Sequence, residues 1–180
     1  MTLSYHKIES SRYTAIREKT LTRIHRTPTW QQKENMLSKL EELAINVKVH
    51  YGCARDYGLL AMVIGTARYQ TDTTLVYIAP TQPPNRHASI NDRSTSAQRD
   101  EYNAENNLLK RDWAVVTGFK KAVGENIRDA LDSAFYEQLK AKTYAYIKLW
   151  PRDYIDHLKR KWCRLTNKII HELQTRYRRA

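Results

Sequence analysis

The sequence predicts an all-α protein: a multi-helix bundle with a proline-containing extended loop and a basic C-terminal helix. Three observations predict it. Apolar residues recur at three- and four-residue steps in several long segments, the spacing of one helix face. Glycine and proline are scarce, at five each, and 41% of the 180 residues are hydrophobic. That is the composition of a globular helical chain rather than of a linker or a disordered tail. The one short strand candidate, Leu75 to Ile78, has no obvious partner nearby.

Residues Met1 to Thr20 are rich in Ser, Thr and Tyr and read as a loosely held arm. Thr27-Pro28-Thr29 opens the first strong pattern, with Pro28 expected in the first turn and Thr as a cap. Met36, Leu37, Leu40, Leu43, Ala44 and Val47 then form one stripe on a helix of about 18 residues. Tyr51 to Gly58 reads as a turn, and Leu59 to Tyr69 as one short helix buried on most sides. Thr71 to Asn91 breaks the pattern, and Pro80, Pro83 and Pro84 give it extended, polyproline-like character.

Ser94 or Thr95 caps the next helix, with Asp92, Asp100 and Glu101 placing negative charge near its start. Tyr102, Glu105, Leu108, Leu109, Trp113 and Val116 carry it to Thr117, where Gly118 is expected to interrupt. Phe119, Val123, Ile127, Ala130 and Leu131 continue the stripe, and Phe135 to Leu139 suggests a further short turn. After the Tyr-rich connector Lys140 to Leu149, Trp150-Pro151 restarts a helix with Tyr154, Ile155, Leu158 and Trp162 on its apolar face. Thr166 or Asn167 is expected to cap a separate last helix bearing Ile169, Ile170, Leu173 and Tyr177. The expected organisation is an arm over 1–20, a main helical domain over 21–140 and a basic helical segment over 141–180.

The formal charge is +12, which favours polyanionic partners: RNA, DNA or an anionic membrane surface. The cations concentrate at the C-terminal end. Lys159, Arg160, Lys161, Arg164, Lys168, Arg176, Arg178 and Arg179 are opposed there by Glu172 alone. These eight are the candidate nucleic-acid-binding residues, contacting phosphates without reading sequence. Interleaved Trp162 and Tyr177 can stack bases if exposed, but the place of Trp162 on the apolar stripe points to the core.

Other chemistry finds little support. Cys53 and Cys163 do not make a disulfide framework. His50, Cys53, His157 and Cys163 match no well-defined zinc spacing, so no metal and no cofactor are expected. Glu125, Asp129 and Asp132 can share a helix face at four- and three-residue steps, but Lys121 and Arg128 lie close by and the group reads as a solvated charged face. No nucleophile elbow, phosphate loop or dinucleotide fingerprint is present. An enzyme is therefore not expected, and neither is a small-molecule substrate. The densest apolar run, Leu59 to Ile64, is six residues long, against about 20 for a bilayer span. With no apolar leader after Met1, an intracellular, cytoplasmic protein without a membrane partner is expected.

Leu21-Thr22-Arg23-Ile24, the run Gly58 to Ile64, Tyr77 to Pro80 and Tyr154 to Leu158, in this order, together resemble the Gag region of copia-type LTR retrotransposons. Leu21-Thr22-Arg23-Ile24 is followed by Pro28-Thr29, then by Leu40, Leu43, Asn46 and Val47. Gly58-Leu59-Leu60-Ala61-Met62-Val63-Ile64 and Tyr69 come next. Tyr77-Ile78-Ala79-Pro80 with Pro83-Pro84 occupies the place of that family's aromatic and proline segment, and Thr95 with Gln98 opens the long helix. Ile127 to Leu139 is similar to the later helical part, and Tyr154-Ile155-Asp156-His157-Leu158 to the closing helix. The resemblance runs from Leu21 to Thr166. It implies a capsid-like fold, homo-oligomerisation into particles and packaging of RNA, without catalysis. Such proteins commonly carry a Cys-x2-Cys-x4-His-x4-Cys knuckle, which this chain lacks, so the expectation is either a truncated or repurposed Gag or a basic tail that takes over RNA binding. The competing expectation is a monomeric or dimeric helical nucleic-acid-binding module that forms no particle.

Overall fold

A threonine hydroxyl starts each of two long helices. The computed structural model describes residues 21–24, 28–49, 54–79, 81–83, 94–140, 145–146 and 148–177. The expected arm, Pro80 and Pro84 lie outside them. Helix α1 spans Trp30–Asn46 behind Thr29. The Thr29 hydroxyl accepts the Gln32 N–H at 3.2 Å, and Gln32 Oε1 accepts the Thr29 N–H at 2.9 Å. Further along, Thr95 and Gln98 repeat this reciprocal box at 3.3 and 3.0 Å. Each box satisfies N–H groups that a helix start otherwise leaves without partners. Pro28 does not enter the first turn as expected. It precedes the cap and is buried, because the Thr29 hydroxyl takes the capping position.

The stripe of α1 is buried as its spacing requires, through Met36, Leu40, Leu43 and Ala44, with Val47 following. One helical turn, α2 (Ala54–Tyr57), leads to Gly58. Gly58 has φ +57, and a Cβ there would fall inside contact distance of the Ala44 and Ile45 carbonyls. Glycine alone fits both constraints. The tight approach lets the Leu59 N–H donate to the Ala44 carbonyl at 2.8 Å, closing one of the open carbonyls at the end of α1.

The turn delivers Leu59 to Ile64, all of them buried. The expected single helix here is in fact two, α3 (Ala61–Ile64) and α4 (Thr66–Thr73), because Gly65 takes φ +88 between them. Helicity also persists beyond Thr71, where the loop was expected, and ends at Thr74 with φ 61. The Thr73 hydroxyl donates to the Tyr69 carbonyl at 2.7 Å in that last turn. Leu75 to Ile78 follows without regular secondary structure, and no strand forms among the described residues.

Helix α5 runs unbroken over Ser96–Ala130. Gly118 does not interrupt it. A helical glycine costs about 1 kcal/mol relative to alanine, and here it sits in a buried face with Val115, Phe119 and Ala122, whose packing outweighs that cost. The acids Asp100 and Glu101 fall past the first turn of this helix rather than in it. Because α5 ends at Ala130 and Leu131 is extended, Asp132 leaves the face that carries Glu125 and Asp129, and the three acids do not share one helix side. Single 3₁₀ turns follow at Ser133–Phe135 and Glu137–Leu139, where a short turn was expected.

Helix α6 spans Pro151–Tyr177 with proline in its first position, and Asp153 accepts the Trp150 N–H at 2.7 Å. Thr166 and Asn167 do not cap a separate helix. Neither Gly nor Pro lies between Arg152 and Tyr177, so nothing in the backbone stops the helix there.

Residues from α1, α3, α5 and α6 meet in one apolar cluster, joined by Leu21, Ile24 and Phe135. Ile24 pairs with the end of α5, its N–H donating to the Ala130 carbonyl at 2.7 Å. Arg68 of α4 ties to Glu41 of α1 at 3.0 Å, and Arg152 of α6 donates to the Val63 carbonyl of α3 at 3.1 Å. No described helix is long and apolar enough to cross a membrane.

Candidate nucleic-acid interface

Tyr154, Ile155, Leu158 and Trp162 bury one face of α6 against the bundle, which fixes where its cations stand. A helix turns about 100° per residue, so neighbouring cations point in different directions. Lys159 and Arg160 are exposed. Lys161 is half-buried, and its ammonium donates to the Ala134 carbonyl in the 3₁₀ turn after α5. The Arg160 guanidinium donates back to the Asp156 carbonyl at 3.3 Å. Arg164 and Lys168 follow Arg160 at four-residue steps on the described backbone of α6, and Arg176 lies in its last turn. Arg178 and Arg179 fall outside the described residues.

The structure therefore divides the predicted set between two flanks of α6. Lys161 stands on the flank beside the 3₁₀ turns, and Arg160 lies about 100° from it on the exposed side of the helix. Lys159 lies on the other flank, beside α1. There it lines a groove of about 360 Å³ with Trp30, Lys33, Glu34, Leu37 and Trp162. Trp162 is only 5% exposed, so the residue that was a candidate for stacking is core. The Lys33 ammonium stands 5.8 Å from its ring centroid, within cation–π range.

The exposed ring in this groove is Trp30, at 71%. Sequence reasoning missed it, although a signal was there. Trp30 and Leu37 are seven residues apart, so they share one edge of α1, where Leu37 is the half-buried rim of the Met36–Leu40–Leu43 stripe and Trp30 lies beyond it. An exposed indole in a groove that two lysines also line can stack a base while the ammonium groups meet phosphates. Among the described residues, Glu34 is the one carboxylate lining the groove.

Among the described residues, no group of three or more His, Cys, Asp or Glu can hold a metal ion. No known protein family, curated protein or solved structure matches the chain.

Proposed function

We propose that this chain is a Gag-like structural protein that self-assembles and packages RNA through a basic surface. The observation that carries the proposal is the segregation of cations along α6, next to a groove lined by exposed Trp30 together with Lys33 and Lys159. Phosphate attraction supplies affinity without sequence preference, and an exposed ring adds stacking to any base. The motifs shared with copia-type Gag between Leu21 and Thr166 supply the assembly half of the reading. Exposed Val76 and Ile78, at 62% and 69%, give it apolar surface for contact between copies.

Light scattering on nuclease-treated protein, before and after addition of single-stranded RNA, with negative-stain images of both, tests the proposal. RNA-triggered growth into regular assemblies is the expected result. Joint replacement of Lys33, Lys159 and Arg160 by Gln should weaken RNA binding and reduce its salt slope by about 0.7 for each phosphate no longer neutralised. A monomer that ignores RNA overturns the proposal. RNA binding without growth overturns the assembly half and leaves a helical nucleic-acid-binding module.

A further inference from the structure

A second basic site lies between the later half of α5 and the start of α6, and the charge count of the C-terminal tail does not include it. The groove has a volume of about 570 Å³, within the size range of small-ligand pockets. Lys120, Lys121 and Arg128 line it from α5, and Tyr146, Leu149 and Tyr154 form its far wall. Aromatic rings hold the cations in place. The Arg128 guanidinium sits 4.9 Å from the Tyr146 ring centroid and 5.9 Å from that of Tyr154, and it donates to the Tyr154 hydroxyl at 2.5 Å. The Lys120 ammonium lies 4.8 Å over the Trp150 ring. Tyr146 is itself anchored, donating to Glu137 at 3.2 Å and meeting Tyr136 edge-on at 5.7 Å.

Two other described arginines that join elements of this fold, Arg68 and Arg152, have carboxylates. Arg68 pairs with Glu41 and Asp72, and Arg152 pairs with Asp156 at 2.8 Å. Among the described residues, Arg128 and Lys120 have rings and a hydroxyl instead and form no ion pair. Burial lowers the Lys120 pKa, and the charge of Asp153 only partly opposes this. Among the described residues, Glu125 is the one carboxylate on the groove lining, beside Lys120, Lys121 and Arg128. A planar guanidinium and an ammonium in fixed positions beside an apolar wall suit a phosphate attached to a ring.

We infer that the α5–α6 groove is a binding site for a small nucleoside phosphate, its phosphate held by Lys120, Lys121 and Arg128 and its ring against Leu149 and Tyr146. The site is separate from the flanks of α6 and does not depend on the RNA-packaging proposal.

Calorimetric titration of the full chain with adenosine monophosphate, inorganic phosphate and adenosine tests the inference. One saturable site for the nucleotide is expected, with phosphate and adenosine each binding at least about tenfold more weakly. Arg128→Gln and Lys121→Gln should each weaken nucleotide binding by about tenfold. Lys121 is exposed, so its replacement reads binding even if Arg128→Gln disturbs the packing. Lys159→Gln with Arg160→Gln should leave nucleotide affinity unchanged. Absence of saturable nucleotide binding, or binding that follows the Lys159 and Arg160 variant instead of Lys121, overturns the inference. Phosphate binding as tightly as the nucleotide would remove the ring from the assignment and overturn its nucleoside part.

Discussion

The turn at Gly58 and the seam between α5 and α6 both join helices, but they use opposite chemistry. At Gly58 backbone meets backbone: the Leu59 N–H reaches the Ala44 carbonyl, and six consecutive apolar residues follow into the core. At the seam a guanidinium and an ammonium lie against tyrosine and tryptophan rings, and a groove stays open beside them. The apolar junction is close-packed, so it tolerates little change in volume. The charged junction holds groups that still attract an anion. One junction is built to fix the fold, and the other leaves room for a ligand.

The largest expected effect falls on the first junction. Gly58→Ala must push a methyl into two carbonyls at a positive φ, and a loss of about 3 kcal/mol or more is expected in denaturant unfolding. A variant as stable as the parent would show that this turn relaxes freely. Next comes a matched pair. Leu59→Ala should cost about 3 kcal/mol, because Leu59 is fully buried. Arg128→Met keeps an apolar stem and loses the ring contacts and the hydroxyl bond, so about 1–2 kcal/mol is expected. Equal costs would make the seam as much a structural joint as the turn.

Smaller effects sharpen the contrast. Thr29→Ala and Thr95→Ala each remove a reciprocal cap, and each should cost about 1 kcal/mol in thermal or chemical unfolding. The seam should also respond to alkali. Burial, reinforced by the hydrogen bond and charge of Glu137, raises the Tyr146 pKa from 10.0 to about 12. The fold thus favours the neutral phenol. Its contribution is complete below pH 10 and is lost as the pH rises toward about 12. Tyr146→Phe should flatten that part of the stability profile, whereas superimposable alkaline profiles would place no such stress on the seam.

The parts of the fold that were legible in the sequence are those set by local rules. Thr95 with Gln98 announces a cap, and Met36, Leu40 and Leu43 announce a face, because each signal spans only one or two turns. Breaks were harder. Gly118 and Thr166 look like stops, yet packing along α5 and unbroken helix formers along α6 carry the helix through them. Gly65 looked innocuous inside an apolar run, where no change of periodicity marks a boundary. Trp162 was readable as core from its spacing to Leu158 and Tyr154. The exposure of Trp30 was only half-readable, since its flank could be counted but not what covers that flank. The α5–α6 groove could not be read at all. Arg128 and Tyr146 are 18 positions apart across two 3₁₀ turns and a connector, and only the folded chain brings them together.

The continuity of α6 has a consequence for direction as well as for charge. From Pro151 to Tyr177 the helix is one rod, so the angular phase of every later cation is locked to Leu158 and Trp162 by residue count alone. Inserting one alanine after Trp162 would change neither the charge nor the composition of the basic stretch in any important way. It would rotate Arg164, Lys168 and Arg176 by about 100° relative to the bundle. A partner attracted only by net positive charge would not notice the rotation. A partner that engages the bundle and the basic stretch together would find the second half of its site facing elsewhere.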